Sequence, residues 1–331
     1  MNLVTGATGH IGNVLIRHLL QRGQKVRAFV LPNDNLTPLD GLDVEIVYGD
    51  VLDPASIERA LSGVDLVYHM AAIITIMPGK NDLVQRINVE GTRNMLSAAK
   101  KARIRRFIYT SSIHAIQRAP HGTTITESLP YDPHNPYGAY DISKAQASLL
   151  VEQAARDGLD TVLICPTGVI GPYDFHVSLM GAGILRYWDN KEVLYFAGGY
   201  DYVDVRDVAD GMIAAAEKGR SGESYLLSGG YLSNTDLVET GRKLVGGSYR
   251  LRELPIPLVN FLTRIMPLYY RMSKKSPQLT PYAVEVLQSN ASISHAKATR
   301  ELGYQPRPLL ESLQDSLGWF KENTHLLISH P

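Results

Sequence analysis

The chain has 331 residues, 44% hydrophobic and 20% charged, proportions of a globular protein with a sizeable core in one large or two modest domains. Thirty-three basic residues balance thirty-three acidic ones, so no single-signed field advertises nucleic acid or an anionic membrane as a partner. The single cysteine, Cys165, excludes an intramolecular disulfide framework; with no His/Asp/Glu cluster at ligand spacing, no metal is expected.

Through the first two-thirds, short apolar runs alternate with amphipathic stretches, as parallel strands joined by crossover helices require. The first predicted strand, Asn2–Val4, runs straight into Val4-Thr5-Gly6-Ala7-Thr8-Gly9-His10-Ile11-Gly12, which opens a helix over His10–Gln21. Gly6 and Gly9 permit a tight turn and close backbone approach to a pyrophosphate, Gly12 lets helix and strand pack closely, and the helix start offers N–H donors. The Gly-x-x-Gly-x-x-Gly spacing is one residue longer than the usual dinucleotide fingerprint. No charged leader or long apolar segment precedes this turn, which predicts a cytoplasmic protein without a signal peptide.

Further strands are predicted at Lys25–Val30, Val44–Tyr48, Leu66–His69, Arg106–Tyr109 and Thr161–Ile164, and helices at Pro54–Leu61, Leu83–Ala102 and Tyr140–Arg156. Pro54 suits a first-turn position, with Asp53 as its cap. From Gly171 the alternation fades into paired glycines and the prolines at 255, 257, 267, 277 and 281, although Val203–Val208, Tyr225–Leu227 and Leu309–Phe320 still read as packed elements. The predicted architecture is an α/β doubly wound parallel sheet. Residues 1–170 plus about 201–228 form a nucleotide-binding domain, and about 171–200 and 229–331 a smaller discontinuous substrate lobe.

Tyr140 and Lys144 stand four apart on one predicted helix face, within reach of one substrate atom. A tyrosine of pKa near ~10 is a poor acid–base catalyst at neutral pH, and an ammonium beside it favours the phenolate. Cys165, in the apolar run Thr161-Val162-Leu163-Ile164, reads as a buried structural thiol.

The phosphate turn and Tyr140-x-x-x-Lys144 together resemble the extended short-chain dehydrogenase/reductase family, also described as the NAD-dependent epimerase/dehydratase superfamily. Further segments are similar in order: Gly49-Asp50-Val51-Leu52-Asp53, His69-Met70-Ala71-Ala72, Asn88-Val89-Glu90-Gly91-Thr92, Tyr109-Thr110-Ser111-Ser112, Pro166-Thr167-Gly168-Val169-Ile170-Gly171-Pro172, Tyr202-Val203-Asp204-Val205-Arg206-Asp207-Val208-Ala209, and the tail Glu301-Leu302-Gly303-Tyr304-Gln305-Pro306. The resemblance implies a Rossmann fold in an NAD(P)-dependent enzyme. By it Tyr140 is the general acid or base, Lys144 lowers its pKa and binds the nicotinamide ribose, and Ser112 hydrogen-bonds the reacting carbonyl, with Ser111 as the rival serine. Gly6, Ala7, Thr8, Gly9, His10, Ile11 and Gly12 would cradle the phosphates. Asp50 and Val51 would flank the adenine, and Ala71, Ala72, Pro166, Thr167, Gly168 and Val169 would line the cofactor cleft. Asn88 matches a family asparagine, with fixing the turn into the next helix as the alternative role. His69 reads as a packed strand residue, and the role of His114 is open.

The end of the second strand, Phe29-Val30-Leu31-Pro32-Asn33-Asp34, lacks the acid that receives ribose hydroxyls in NAD-binders. Asp34 can reach from the loop and Arg27 lies on the strand; the missing acid favours NADP over NAD. Ile113-His114 stands where dehydratases of the family carry an acidic pair, and Gly168 where sugar-nucleotide enzymes commonly carry an asparagine. The segment around Asp204 is similar to the dihydroflavonol-reductase and 3β-hydroxysteroid-dehydrogenase branches. The favoured function is therefore carbonyl–alcohol interconversion on a hydrophobic small molecule. The alternatives are a sugar-nucleotide epimerase and a dinucleotide-binding regulator without turnover. The pocket is expected from Ile73–Met77, Tyr173–Leu179, Tyr195–Tyr202 and 255–282. Leu254–Met272, too broken and charged to span a bilayer, reads as a lid or, less favoured, a patch that touches lipid. The resemblance also implies a homodimer through a four-helix bundle of the helices at 83–102 and 140–156.

Overall fold

The computed structural model describes residues 1–76, 81–189, 192–247, 250–273 and 279–327. In chain order its elements begin β1 (Asn2–Thr5), α1 (His10–Gln21), β2 (Val26–Val30), β3 (Glu45–Tyr48), α2 (Pro54–Ala60), β4 (Leu66–His69), α3 (Asp82–Gln85), α4 (Thr92–Lys101) and β5 (Arg106–Thr110). They continue with α5 (Ala139–Arg156), β6 (Thr161–Pro166), β7 (Gly168–Ile170), α6 (Leu179–Asp189), β8 (Glu192–Tyr195), β9 (Gly199–Asp204), α7 (Val205–Lys218) and β10 (Ser224–Leu227). The last are β11 (Gly230–Ser233), α8 (Asn234–Leu244), β12 (Arg250–Glu253), α9 (Ile256–Ser273), α10 (Pro281–Gln288), α11 (Ala296–Leu302) and α12 (Leu309–Asn323).

Seven parallel strands form the central sheet in the order β10-β6-β5-β4-β1-β2-β3, the doubly wound arrangement expected. Strand order reverses between β1 and β4, which pair from Asn2↔Leu66 to Thr5↔His69. The crevice at such a switch point, beyond the carboxyl ends of the strands, is where open α/β sheets bind ligands. One apolar core, around Val14, Ile16, Val208 and Met212, seats α1 and α7 on one face; a second, around Ile57, Met95, Phe107 and Val151, seats α2, α4 and α5 on the other. Burial on both faces is why the strands read as apolar runs rather than alternations.

Two smaller sheets, β11-β9-β7 and β12-β8, share a third core with residues of α6, α8 and α12, including Ile184, Val193, Val238, Leu317 and Phe320. The predicted packed stretch at Val203–Val208 divides at Asp204, whose side chain accepts from the Arg206 N–H and caps α7. The single helix expected over Leu83–Ala102 is also divided. A π-helical turn over Arg86–Gly91 separates α3 from α4. There the Thr92 hydroxyl donates to the Asn88 carbonyl at 2.7 Å, and a Cβ on Gly91 would press into Val51, so the extra turn is held from both sides.

Candidate active site

The phosphate turn is made by backbone. Gly6 has φ +67°, and a Cβ there would lie 2.9 Å from the Met70 and Ala71 backbone; one on Gly12 would overlap the Gly6 carbonyl. The turn therefore leaves a cradle only glycine can leave, bounded by β1, β4 and the start of α1, and this fits a pyrophosphate. The Thr5 hydroxyl accepts from the Met70 and Ala71 N–H groups at 3.1 Å, locking β1 to the segment that carries Ala71 and Ala72. The ring of His10 reaches the Pro172 carbonyl at 3.0 Å, tying the turn to the end of the Pro166–Pro172 segment. Ala7 and Thr8 are buried, and Ile11 packs partly buried on the core. The Thr8 hydroxyl donates to Asp34 at 2.7 Å, so a carboxylate from the loop after β2 stands against the turn. Arg27 is committed elsewhere, donating to the Ala60 and Ser62 carbonyls and pairing with Glu45.

Asp50 lies at the end of β3, with one carboxylate oxygen taken by the Leu52 N–H at 2.8 Å, and Val51 is buried beside it. Asn88 is bonded within the protein. Its carbonyl accepts from the Ile73 N–H at 2.8 Å, and its amide donates to the Ile73 carbonyl at 3.0 Å and the Ser143 hydroxyl at 2.9 Å. Ser143 in turn donates to the Tyr140 carbonyl at 2.8 Å, so Asn88 steadies the loop after β4 and the first turn of α5. Thr167 donates to the Leu227 carbonyl at the end of β10, Pro166 closes β6, and Gly168 and Val169 pair with Tyr202 and Val203.

Of the two serines after β5, Ser111 is buried and bonded to Ser148 at 2.6 Å, whereas Ser112 faces Tyr140. Burial pushes the Tyr140 phenol up to about 12, with the Ser112 hydroxyl acting against it and the Asp141 charge adding to it. Lys144 Nζ donates to the Thr110 carbonyl at 2.6 Å and the Tyr109 hydroxyl at 3.3 Å, and burial brings its ammonium down to about 7. An amine bonded to neutral oxygens inside the fold loses hydration without gaining a counter-charge. His69, fully buried, bridges the Thr5 and Thr92 hydroxyls, and burial holds it at about 3. Cys165 is buried, its thiol raised to about 11.

Around Tyr140 lies a buried cluster that the sequence leaves open. The His114 ring stands edge-on to Tyr140 with centroids 6.3 Å apart, and its Nε2 is 2.8 Å from the Tyr200 hydroxyl. Its Nδ1 is 3.3 Å from the Tyr282 hydroxyl, which donates at 2.6 Å to Asp141. Asp141 is fully buried, with Arg118 3.5 Å from its second oxygen and Glu285 beyond Arg118. Burial holds His114 below its usual value, Arg118 contributing the same way and Asp141 opposing, so its imidazole is neutral at pH 7. The bonds then have one consistent order. Tyr282 spends its proton on Asp141 and accepts from His114 Nδ1, which leaves Nε2 to accept from Tyr200. Of the expected pocket segments, Tyr173 lies between Arg17 and Trp319; Met77 and residues 274–278 lie outside the described residues. Among the described residues no cluster suited to a metal ion is present, and no helix is long and apolar enough to cross a membrane.

Comparison with known proteins agrees with this architecture. The model of the NAD dependent epimerase/dehydratase family matches residues 2–228. The chain is 34% identical to sterol demethylase protein B of Methylococcus capsulatus, covering 97% of this chain and 98% of that one. It is 30% identical to a 3 beta-hydroxysteroid dehydrogenase/Delta 5-->4-isomerase of Mycobacterium tuberculosis, over 92% and 85% of the two. The crystal structure of gox2253 superposes with a TM-score of 0.85 at 30% identity, covering 98% of each chain. With a glycine cradle at the switch point and these likenesses end to end, the chain belongs to the NAD dependent epimerase/dehydratase family of extended short-chain dehydrogenases/reductases, as an NAD(P)-dependent oxidoreductase.

Proposed function

We propose that the protein interconverts a carbonyl and a secondary alcohol on a hydrophobic small molecule, with Tyr140 as the acid–base residue. The observation that carries this reading is the meeting of Ser112 and Tyr140 beside the buried amine of Lys144, at the carboxyl edge of the sheet. A tyrosine held at about 12 keeps its proton at neutral pH and suits the donor's part toward a carbonyl oxygen. The Ser112 hydroxyl donates a hydrogen bond to the same oxygen and steadies the negative charge that grows there. Lys144, titrating near 7, holds an exchangeable proton in the range where Tyr140 does not. When bound, the nicotinamide group supplies or removes the hydride.

Gly6 to Gly12 would hold the pyrophosphate, Asp50 and Val51 the adenine side, and Ala71, Ala72 and Pro166 to Val169 the nicotinamide side. The position of Asp34 revises the preference for NADP. A carboxylate bonded to the phosphate turn suits ribose hydroxyls and repels a 2′-phosphate, and Arg27 is turned away, so NAD is the proposed cofactor. Asp34→Ala should weaken NAD binding about tenfold in a calorimetric titration while NADP binding holds or improves; the reverse order overturns the assignment. The relatives named as steroid and sterol enzymes support an apolar, cyclic substrate class. The β12-β8 sheet with β11, α6, α8 and α12 would form the substrate lobe, from about 171–200 and 229–331, against a cofactor domain of 1–170 plus about 201–228 that lends β7 and most of β9 to the β11-β9-β7 sheet. Leu83 and Leu149, exposed on the helices expected to form a four-helix bundle, support a homodimer there.

Tyr140→Phe tests the mechanism. Turnover with a panel of cyclic ketones and alcohols should fall by about 10²–10⁴-fold while nucleotide binding, read by fluorescence, is retained. Unchanged turnover with binding intact would remove Tyr140 from the chemistry.

A further inference from the structure

The charge balance of the whole chain conceals a local departure from it. Across residues 250–275 six Lys or Arg (Arg250, Arg252, Arg264, Arg271, Lys274 and Lys275) face one acid, Glu253. Arg250, Arg252 and Arg264 are exposed and take part in none of the described ion pairs. Within this stretch α9 turns Val259 and Thr263 inward, while Leu258, Phe261 and Ile265 are 44%, 59% and 50% exposed. Spaced three and four apart, these three lie on one face of the helix, an apolar stripe turned to solvent. On its inner side α9 packs against α10, the helix whose Tyr282 reaches Asp141 and His114 beside Tyr140.

An apolar stripe flanked by unpaired cations selects its partner by charge. A second copy of the chain would set like charges against each other, whereas an anionic bilayer surface satisfies both features. We propose that α9 is an interfacial membrane helix. It would lie in the plane of an anionic bilayer, with Leu258, Phe261 and Ile265 among the acyl chains and the exposed Arg250, Arg252 and Arg264 on the headgroups. An apolar substrate would then reach the pocket from the bilayer through a helix that touches the active-site layer. That last step rests on the substrate class proposed above; the docking itself does not.

Co-sedimentation of the full chain with phosphatidylcholine vesicles, with and without phosphatidylglycerol, tests the proposal. Wild type should pellet with the anionic vesicles, and less as salt rises. A Phe261→Ser, Ile265→Ser double variant, altered only at exposed positions, should partition about tenfold less or weaker still while its melting temperature and nucleotide binding stay unchanged. Equal pelleting of variant and wild type, or no pelleting of wild type, overturns the proposal. A variant that changes only the sedimentation coefficient, from dimer to monomer, overturns it too and marks the face as a self-interface. Turnover is not among the readouts, so a wrong substrate class leaves the vesicle result standing.

Discussion

The phosphate turn and the surroundings of Tyr140 sit at the same edge of one sheet but are built in opposite ways. The turn is a backbone object. Its shape comes from nine consecutive residues, and its specificity from positions where a Cβ would strike neighbouring main chain. The Tyr140 layer is made of side chains from four segments far apart in sequence, with Tyr200 86 residues from His114 and Tyr282 141 from Asp141. A site made by steric exclusion fails abruptly when an atom is added, whereas a network of buried polar groups fails by degrees as single bonds are lost.

Adding one methyl to the turn should therefore have the largest effect. Gly12→Ala places its Cβ on the Gly6 carbonyl, and either the turn opens or α1 moves off the sheet. Nucleotide affinity should drop at least about 100-fold, read by fluorescence titration, with helix content by circular dichroism showing whether the fold survives. Retained affinity would mean that the cradle yields more readily than its packing indicates.

In the side-chain layer the informative change is smaller. Tyr282→Phe removes the donor at 2.6 Å from Asp141, whose other oxygen makes no hydrogen bond, and releases His114 Nδ1. A buried carboxylate left without a donor costs about 1–3 kcal/mol, so the urea midpoint should fall by that equivalent. Turnover should fall with it while KM for the nucleotide holds, because α10 no longer fastens the first turn of α5. If midpoint and turnover both match wild type, the His114–Tyr282–Asp141 order is not part of the working site.

This contrast also explains what the sequence made legible. The strands β1 to β6, the start of α1 and the positions of Gly6, Gly12, Tyr140 and Lys144 follow from local patterns: apolar runs, turn chemistry and one helical spacing; Ser112 came from the family resemblance. The division of the helix around Asn88 does not, because much of what holds it, the Asn88 bonds to Ile73 and Ser143 and the packing of Gly91 on Val51, comes from elsewhere in the chain. His114 stayed open for the same reason, since its partners arrive from β9 and α10. The exposed face of α9 escaped a composition argument because a net charge of zero sums over the region where the excess lies. Asp34 was visible as a residue, but its seat on the phosphate turn depends on Thr8, and its meaning for the cofactor followed from that contact.

Placing an amine in this layer carries a cost that pH controls. In the folded chain Lys144 titrates near 7, against an ordinary value of 10.5. Below pH 7 the residue is charged in both states, so the full cost of burying the charge is present. Between 7 and 10.5 the unfolded chain holds a proton that the folded chain has shed, and stability attributable to this residue rises with pH. The slope is at most about 1.4 kcal/mol per pH unit, and above 10.5 the contribution is flat. Lys144→Met loses the bond to Thr110 at every pH and loses the slope only in this window. Plotted against pH, the stability of the variant relative to wild type should thus be greatest near 7 and decline steadily to about 10.5, in urea titrations taken at each pH. Parallel curves across that window would show that Lys144 keeps its solution value despite burial, and that the side-chain layer is better hydrated than its packing implies.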